Sequence, residues 1–276
     1  MSYYRYNTSS NQTSFRGNAP LTNDQIARYA PSVLATEAHE SRGERYAFIP
    51  TIEVLDGLRR EGFQPFEVRQ TRCRDHSKRD FTKHLVRLRH PDAIANQGEV
   101  PEIVLLNSHD GSSSYQLLAG FFRFVCSNGL IAGDVCNDVR VRHSGNVVSD
   151  VIEGSYRVLD NLQAIGERIE TYKATRLALP EQLAFAEAAK QLRWGDEAPV
   201  EASSLIVPRR FEDRDSTLWN VFNRTQEALL QGGVRGRTST GKRTTTRAVG
   251  GVTENVKLNK ALWTLADHLA KYKEAA

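Results

Sequence analysis

Two stretches of the chain, where the period changes from helical to extended, constrain the fold more than any other feature. FEVRQTRCR (66–74) and KHLVRLRH (83–90) are separated by the polar turn DHSKRD, and EIVLLN (102–107) follows after the loop PDAIANQGEVP. That period places successive side chains on opposite faces of extended backbone, and a short polar connection leaves antiparallel pairing as the only compact arrangement. The pattern predicts a basic hairpin plus a third strand.

Around this sheet the period is helical. Thr22 and Asn23 offer capping oxygens to a short helix, DQIARYA, that Pro31 stops; a second begins near Pro50, with Ile52, Leu55 and Leu58 on one face and Gly62 at its end. SSSYQLLAGFFRFVCSNG is apolar nearly all round and is expected to be a helix buried against the sheet, with a buried strand pair as the competing reading. After a strand at DVRVRH, apolar residues from Val148 to Tyr172 recur at three- and four-residue steps. Pro180 then opens PEQLAFAEAAKQLRW, Ser216 is placed to cap a helix ending at Gly232-Gly233, and Thr253 to cap a last one.

No internal repeat is present. The expected class is α+β: a small antiparallel sheet packed on helices, followed by a mainly helical C-terminal part. The expected division is a flexible N-terminal arm (1–20), an α+β core (21–145) and a helical region (146–276) carrying a basic loop (232–252).

A chain of 276 residues with 39% hydrophobic content can bury a sizeable core. Cys73, Cys126 and Cys136 show no C-x-x-C spacing, so neither a disulfide framework nor a four-thiolate zinc site is indicated, and a reducing cytoplasm fits best. The N-terminal stretch lacks the apolar centre of a signal peptide, and no run approaches the ~20 apolar residues that span a bilayer. Cytoplasmic localisation, no membrane and no cofactor are therefore expected.

The net charge of +4 is small, but it is unevenly distributed. From Arg59 to His90 ten Lys/Arg face four Asp/Glu, whereas 91–140 holds six acids and two arginines. Strand alternation puts Arg72 with Arg74, and Arg87 with Arg89, on common faces, a cationic stripe able to follow a phosphate chain. Arg69, Lys78, Arg79 and Lys83 belong to the same hairpin.

A second basic cluster, RGRTSTGKRTTTR, holds Arg235, Arg237, Lys242, Arg243 and Arg247 with no acid. Gly236 to Lys242 matches the first seven positions of the phosphate-binding loop G-x-x-x-x-G-K-[ST], but Arg243 takes the hydroxyl position and a helix, not a strand, precedes it. A flexible cationic loop with Ser and Thr hydroxyls suits phosphodiester backbones instead.

Seven histidines invite an enzymatic reading, yet none forms H-x-x-x-H and no G-x-S-x-G elbow occurs. The best catalytic cluster is Glu102, His109 and Asp110 near a predicted strand end, where carboxylate and imidazole can bind a metal or move a proton; the same residues also suit a tight turn. Cys126, in an apolar run, reads as a packed thiol.

YAFIPTIEVLDGLRREGF, KHLVRLRH, PEIVLLNSHDG, GFFRFVCSNGL and ENVKLNKALWTLADHL resemble a family of plasmids and prophages, the domain-of-unknown-function family 932, from about residue 30 to the end. The resemblance implies a cytoplasmic protein of mobile elements. In the order helix, three strands, helix, the chain is also similar to the core of Rad-type single-strand annealing proteins, which would put Arg72, Arg74, Arg87 and Arg89 along a DNA groove.

The functional expectation is a non-enzymatic protein that binds DNA, single-stranded by preference, in annealing or recombination, and that forms a homo-oligomer. The alternatives are a counter-defence protein occupying a host nuclease or restriction enzyme, and a metal-dependent nuclease.

Overall fold

A computed structural model describes residues 13–43, 46, 48–73, 75–90, 99–124, 128–132, 139–141, 147–160 and 162–275. In chain order its larger elements are β1 (Ser14–Arg16), α1 (Asn23–Tyr29), α2 (Thr51–Arg60), β2 (Gln64–Gln70), β3 (His84–Arg89), β4 (Glu99–Asn107), β5 (Tyr115–Arg123), β6 (Asn128–Ile131) and β7 (Val139–Val141). There follow α3 (Val147–Asp160), α4 (Leu162–Ala174), α5 (Leu179–Trp194), α6 (Ala202–Leu205), α7 (Leu218–Gln231), β8 (Arg235–Arg237), β9 (Arg243–Thr245) and α8 (Val252–Ala275). The class is α+β. Two compact units arise, one from described residues within 1–95, 100–118 and 138–158, the other from those within 96–99, 119–137 and 159–276.

In the first unit the strands run in the order β1-β2-β3-β4-β5, with β7 antiparallel to the first half of β5. The hairpin forms, Val68 opposite Val86, although β2 ends at Gln70 and leaves Arg72 outside the strand expected to carry it; β4 continues the register with Leu105 opposite Val86. This face is apolar and lies with α2, whose Val54, Leu55 and Leu58 are fully buried. The capping signals act locally: Thr22 and Gln25 form a reciprocal capping box on α1. After α2, Gly62 takes φ +90°, a conformation natural to glycine, and the Phe63 N–H bonds back to the Leu58 carbonyl.

Two expectations are corrected here. The segment read as a buried helix is the strand β5, in which every residue from Leu117 to Arg123 is buried. With both faces covered, the polar–apolar alternation that marks a strand has nothing to select it, so the sequence keeps only an apolar run. Within the expected arm, Ser14–Arg16 is paired to β2, Phe15 lying opposite Val68 and stacking on Tyr29 at 4.6 Å. Residues 1–12 lie outside the described residues.

The second unit has β6 on the latter half of β5 and the helices α4 to α8. Its centre is α7, buried at every position from Leu218 to Leu230. Trp219 stacks on Phe222 at 5.8 Å, and Trp263 of α8 meets Phe222 and Tyr172 at 6.3 and 5.2 Å. Its cap is Thr217 rather than Ser216, accepting from the Asn220 N–H at 3.2 Å. α8 begins at Val252, so Thr253 lies inside it. No helix among the described residues is long and apolar enough to cross a membrane.

Candidate nucleic-acid interface

The face of the first sheet opposite α2 carries Arg16, Glu67, Arg69, Arg87, Arg89 and Glu102, brought together by register: Arg16 and Arg87 both lie opposite Glu67. Glu67 and Glu102 are 2% and 1% exposed, Arg87 and Arg89 2% and 6%. Glu102 binds Arg87 Nη1 at 2.7 Å and Arg89 Nε at 2.8 Å; Glu67 binds Arg16, Arg69 Nε at 2.5 Å and Arg87 Nε at 3.6 Å. The Arg89 guanidinium also sits 4.6 Å from the Phe66 ring centre. Burial alone would raise the Glu67 carboxyl, but Arg16, Arg69 and Arg87 outweigh it and hold Glu67 far below the usual carboxylate range.

Arg87 and Arg89 are thereby corrected as members of an exposed stripe. Alternation places Arg87 with Arg89 as expected, but that face is interior and both guanidiniums are paired with the carboxylates of Glu67 and Glu102. A count of charge along the chain cannot see pairing across strands. Of the remaining hairpin cations, Arg69 is half-buried, Lys78 and Lys83 are half-buried, and Arg72 and Arg79 are exposed. Arg74 lies outside the described residues.

The catalytic candidates part company. Glu102 is engaged with the two arginines, and Asp110 Oδ1 accepts the Ser112 N–H at 2.9 Å in a turn. His109 is fully buried, its Nε2 3.2 Å from Thr51 Oγ1, which also lies 2.9 Å from His84 Nε2 and accepts from Asn107 Nδ2 at 3.0 Å. The His84 Nδ1 faces the Thr82 carbonyl at 3.2 Å and so carries the proton, which makes Nε2 the acceptor of the Thr51 hydroxyl. Thr51 then receives from Asn107 and His109, and the His84 ring stays neutral. Burial, then the neighbouring His109, pushes the His84 imidazole well below its ordinary value despite the Thr82 carbonyl. The arrangement fastens α2 to β3 and β4. Among the described residues no group of three or more His, Cys, Asp and Glu is arranged to hold a metal ion.

The basic loop is more ordered than its composition indicates. Arg235–Arg237 and Arg243–Thr245 pair as a small antiparallel hairpin, Arg237 opposite Arg243 and Arg235 opposite Thr245. Gly236 faces inward, where a Cβ would collide with the Pro199 carbonyl oxygen and lie 2.7 Å from Val200 Cγ1. The Arg237 N–H donates to that Pro199 carbonyl at 2.8 Å, and the Gly233 N–H to the Thr246 carbonyl at 2.9 Å. Gly236 is required because the hairpin docks by backbone contact.

Docking through Gly236 turns the alternate residues outward. Arg235, Arg237 and Arg243 are exposed on one face, with exposed Lys242 in the turn and exposed Arg247 at the exit. None of the five pairs with a carboxylate among the described residues. The phosphate-loop resemblance also ends here: Lys242 is in a tight turn, its N–H bonded to Thr238 Oγ1 at 3.2 Å, and a strand rather than a helix follows.

Sequence reasoning passed over VPRRFEDR (207–214), where Phe211 is 76% exposed among three arginines. An aromatic interleaved with basic residues was the available signal.

The family profile described as "Domain of unknown function (DUF932)" matches residues 38–263. Two proteins of Escherichia coli (strain K12) are similar over 255 residues, 92% of this chain and 93% of each relative: UPF0380 protein YfjQ at 50% identity and UPF0380 protein YafZ at 49%. No solved structure matches the chain.

Proposed function

The chain belongs to the DUF932 family, and for this member we propose binding to single-stranded DNA in the cytoplasm, without chemistry on it, in annealing or recombination on a mobile element. One observation carries the reading: the β8–β9 hairpin holds three guanidinium groups on an exposed face, with an ammonium and a fourth guanidinium at its ends and no acid between Arg235 and Arg247. An uncompensated cationic ribbon has self-repulsion as its cost, and a polyanion removes that cost by exchanging condensed counterions for Lys and Arg. Arg87 and Arg89 are left out of this interface; exposed Arg72 and Arg79 are secondary candidates. Engagement of the five C-terminal cations gives a salt slope near −3.5 for a single strand, at ~0.7 per phosphate.

The test is fluorescence-anisotropy binding of a labelled oligonucleotide from about 50 to about 200 mM salt, over which that slope weakens affinity by roughly 100-fold. Replacement of Arg235, Arg237 and Arg243 by Ala together is expected to flatten the slope by about 2. Absence of binding at low salt, or a triple variant with an unchanged slope, refutes the proposal.

A further inference from the structure

We infer that Phe211 is a base-stacking residue, and that the loop Val207–Arg214 and the β8–β9 hairpin together form one site for a strand with unpaired bases. The inference rests on the proposed polyanion reading and adds to it the chemistry that selects single strands.

The loop is held beside the root of the hairpin. Arg209 Nη2 donates to the Gly232 carbonyl at 2.8 Å, and Gly232 is only three residues before Arg235. Arg210 binds both oxygens of buried Glu227 at 2.7 Å and reaches Asp213 at 3.1 Å; Asp213, 1% exposed, also takes Arg123 Nη1 at 2.7 Å. Two of the loop's three arginines are thus anchors. They hold the loop to α7 and its exit, while Asp213 holds it to Arg123 of β5, and the tip is left presented.

At that tip the Arg214 N–H closes a turn on the Phe211 carbonyl at 3.1 Å, and the Arg214 guanidinium lies 5.2 Å from the Phe211 ring centre. Phe211 is 76% exposed, more than any other large apolar side chain among the described residues, and Val207 in the same loop is 60% exposed. Glu212, next in the chain, is exposed, and Asp215 is paired with Arg176 at 2.9 Å. A phenyl ring held out by a closed turn has already lost the backbone freedom that binding would otherwise remove. At about 3.5 Å per residue, and counting the reach of the Arg209 side chain, Phe211 lies within roughly 30 Å of Arg235, about five nucleotides of extended strand.

Every base has a π-face, so stacking on Phe211 tolerates any sequence but needs a base out of the duplex. The cations would then follow the backbone while the ring takes one base, with Arg214 adding cation–π character.

The experiment compares wild type, Phe211→Ala, Phe211→Trp and the Arg235/Arg237/Arg243 triple Ala variant on a single-stranded oligonucleotide containing 2-aminopurine, on its duplex, and on heparin. Phe211→Ala is expected to weaken single-strand binding by about 5-fold or more and to abolish 2-aminopurine quenching. Duplex and heparin binding should be unchanged, and Phe211→Trp should restore quenching. Because Phe211 is exposed, circular dichroism and melting of the Ala variant should match wild type. If wild type binds all three ligands and Phe211→Ala changes none of them, stacking is refuted and the polyanion reading stands. If wild type binds none, both fall.

Discussion

Replacing Glu102 by Gln tests the buried ionic face of the sheet. The carboxylate of Glu102 accepts from Arg87 through one oxygen, at 2.7 Å, and from Arg89 through the other, at 2.8 Å. A glutamine of the same shape keeps one acceptor and turns an NH2 group toward the other guanidinium, so one arginine faces a donor and the pair loses its counter-charge. Glu67, whose nearest oxygen is 3.6 Å from Arg87 Nε and which already serves Arg16 and Arg69, cannot make up the difference. Breaking a buried pair in this way costs about 3–5 kcal/mol, a large share of the roughly 5–15 kcal/mol typical of a folded domain. At about 2–4 °C per kcal/mol, the expected drop in melting temperature is roughly 6–20 °C. Urea unfolding followed by far-UV circular dichroism measures it. A loss below about 1 kcal/mol would mean that water or a rearranged Glu67 satisfies the guanidiniums, and the interior placement of the face would be refuted.

Acid should destabilise the Thr51–His84–His109 junction. His84 is held neutral in the fold, with its pKa lowered, so below the ordinary imidazole value of about 6.5 the unfolded chain takes up a proton that the folded one does not; stability present at higher pH is lost on acidification, by up to about 1.4 kcal/mol per unit. His84→Gln should flatten the slope of stability between pH 7 and pH 5, and an unchanged slope would remove His84 from the account. Gly236→Val should prise the cationic hairpin from Pro199 and Val200, giving faster tryptic cleavage between Arg235 and Arg247 with unaltered far-UV circular dichroism; cleavage as slow as in wild type would show that docking does not depend on backbone contact there.

Local information in the chain was sufficient for much of the architecture. The extended character of FEVRQ and HLVRLR is carried by each strand alone, as is the capping chemistry of Thr22 and the stop at Gly62, because these depend on neighbours a few residues away. The acid-free character of Arg235–Arg247 was equally plain, and composition alone keeps such a segment out of a core. Its conformation was not. Only contact with Pro199 makes it a hairpin that turns Arg235, Arg237 and Arg243 the same way, and that contact joins residues nearly forty positions apart.

Tertiary structure decided the rest wherever a residue's environment depends on distant partners. β5 is a strand because both of its faces are covered, a condition its own apolar sequence cannot express. Arg87 and Arg89 look like surface cations until sheet register sets them against Glu67 and Glu102. The Glu227 and Arg123 that anchor the Phe211 loop, like the Thr51 that joins His84 to His109, come from other elements of the chain. Periodicity determines which way a side chain points; whether water, a carboxylate or a ligand waits there is set by long-range packing, whose energetics no local pattern records.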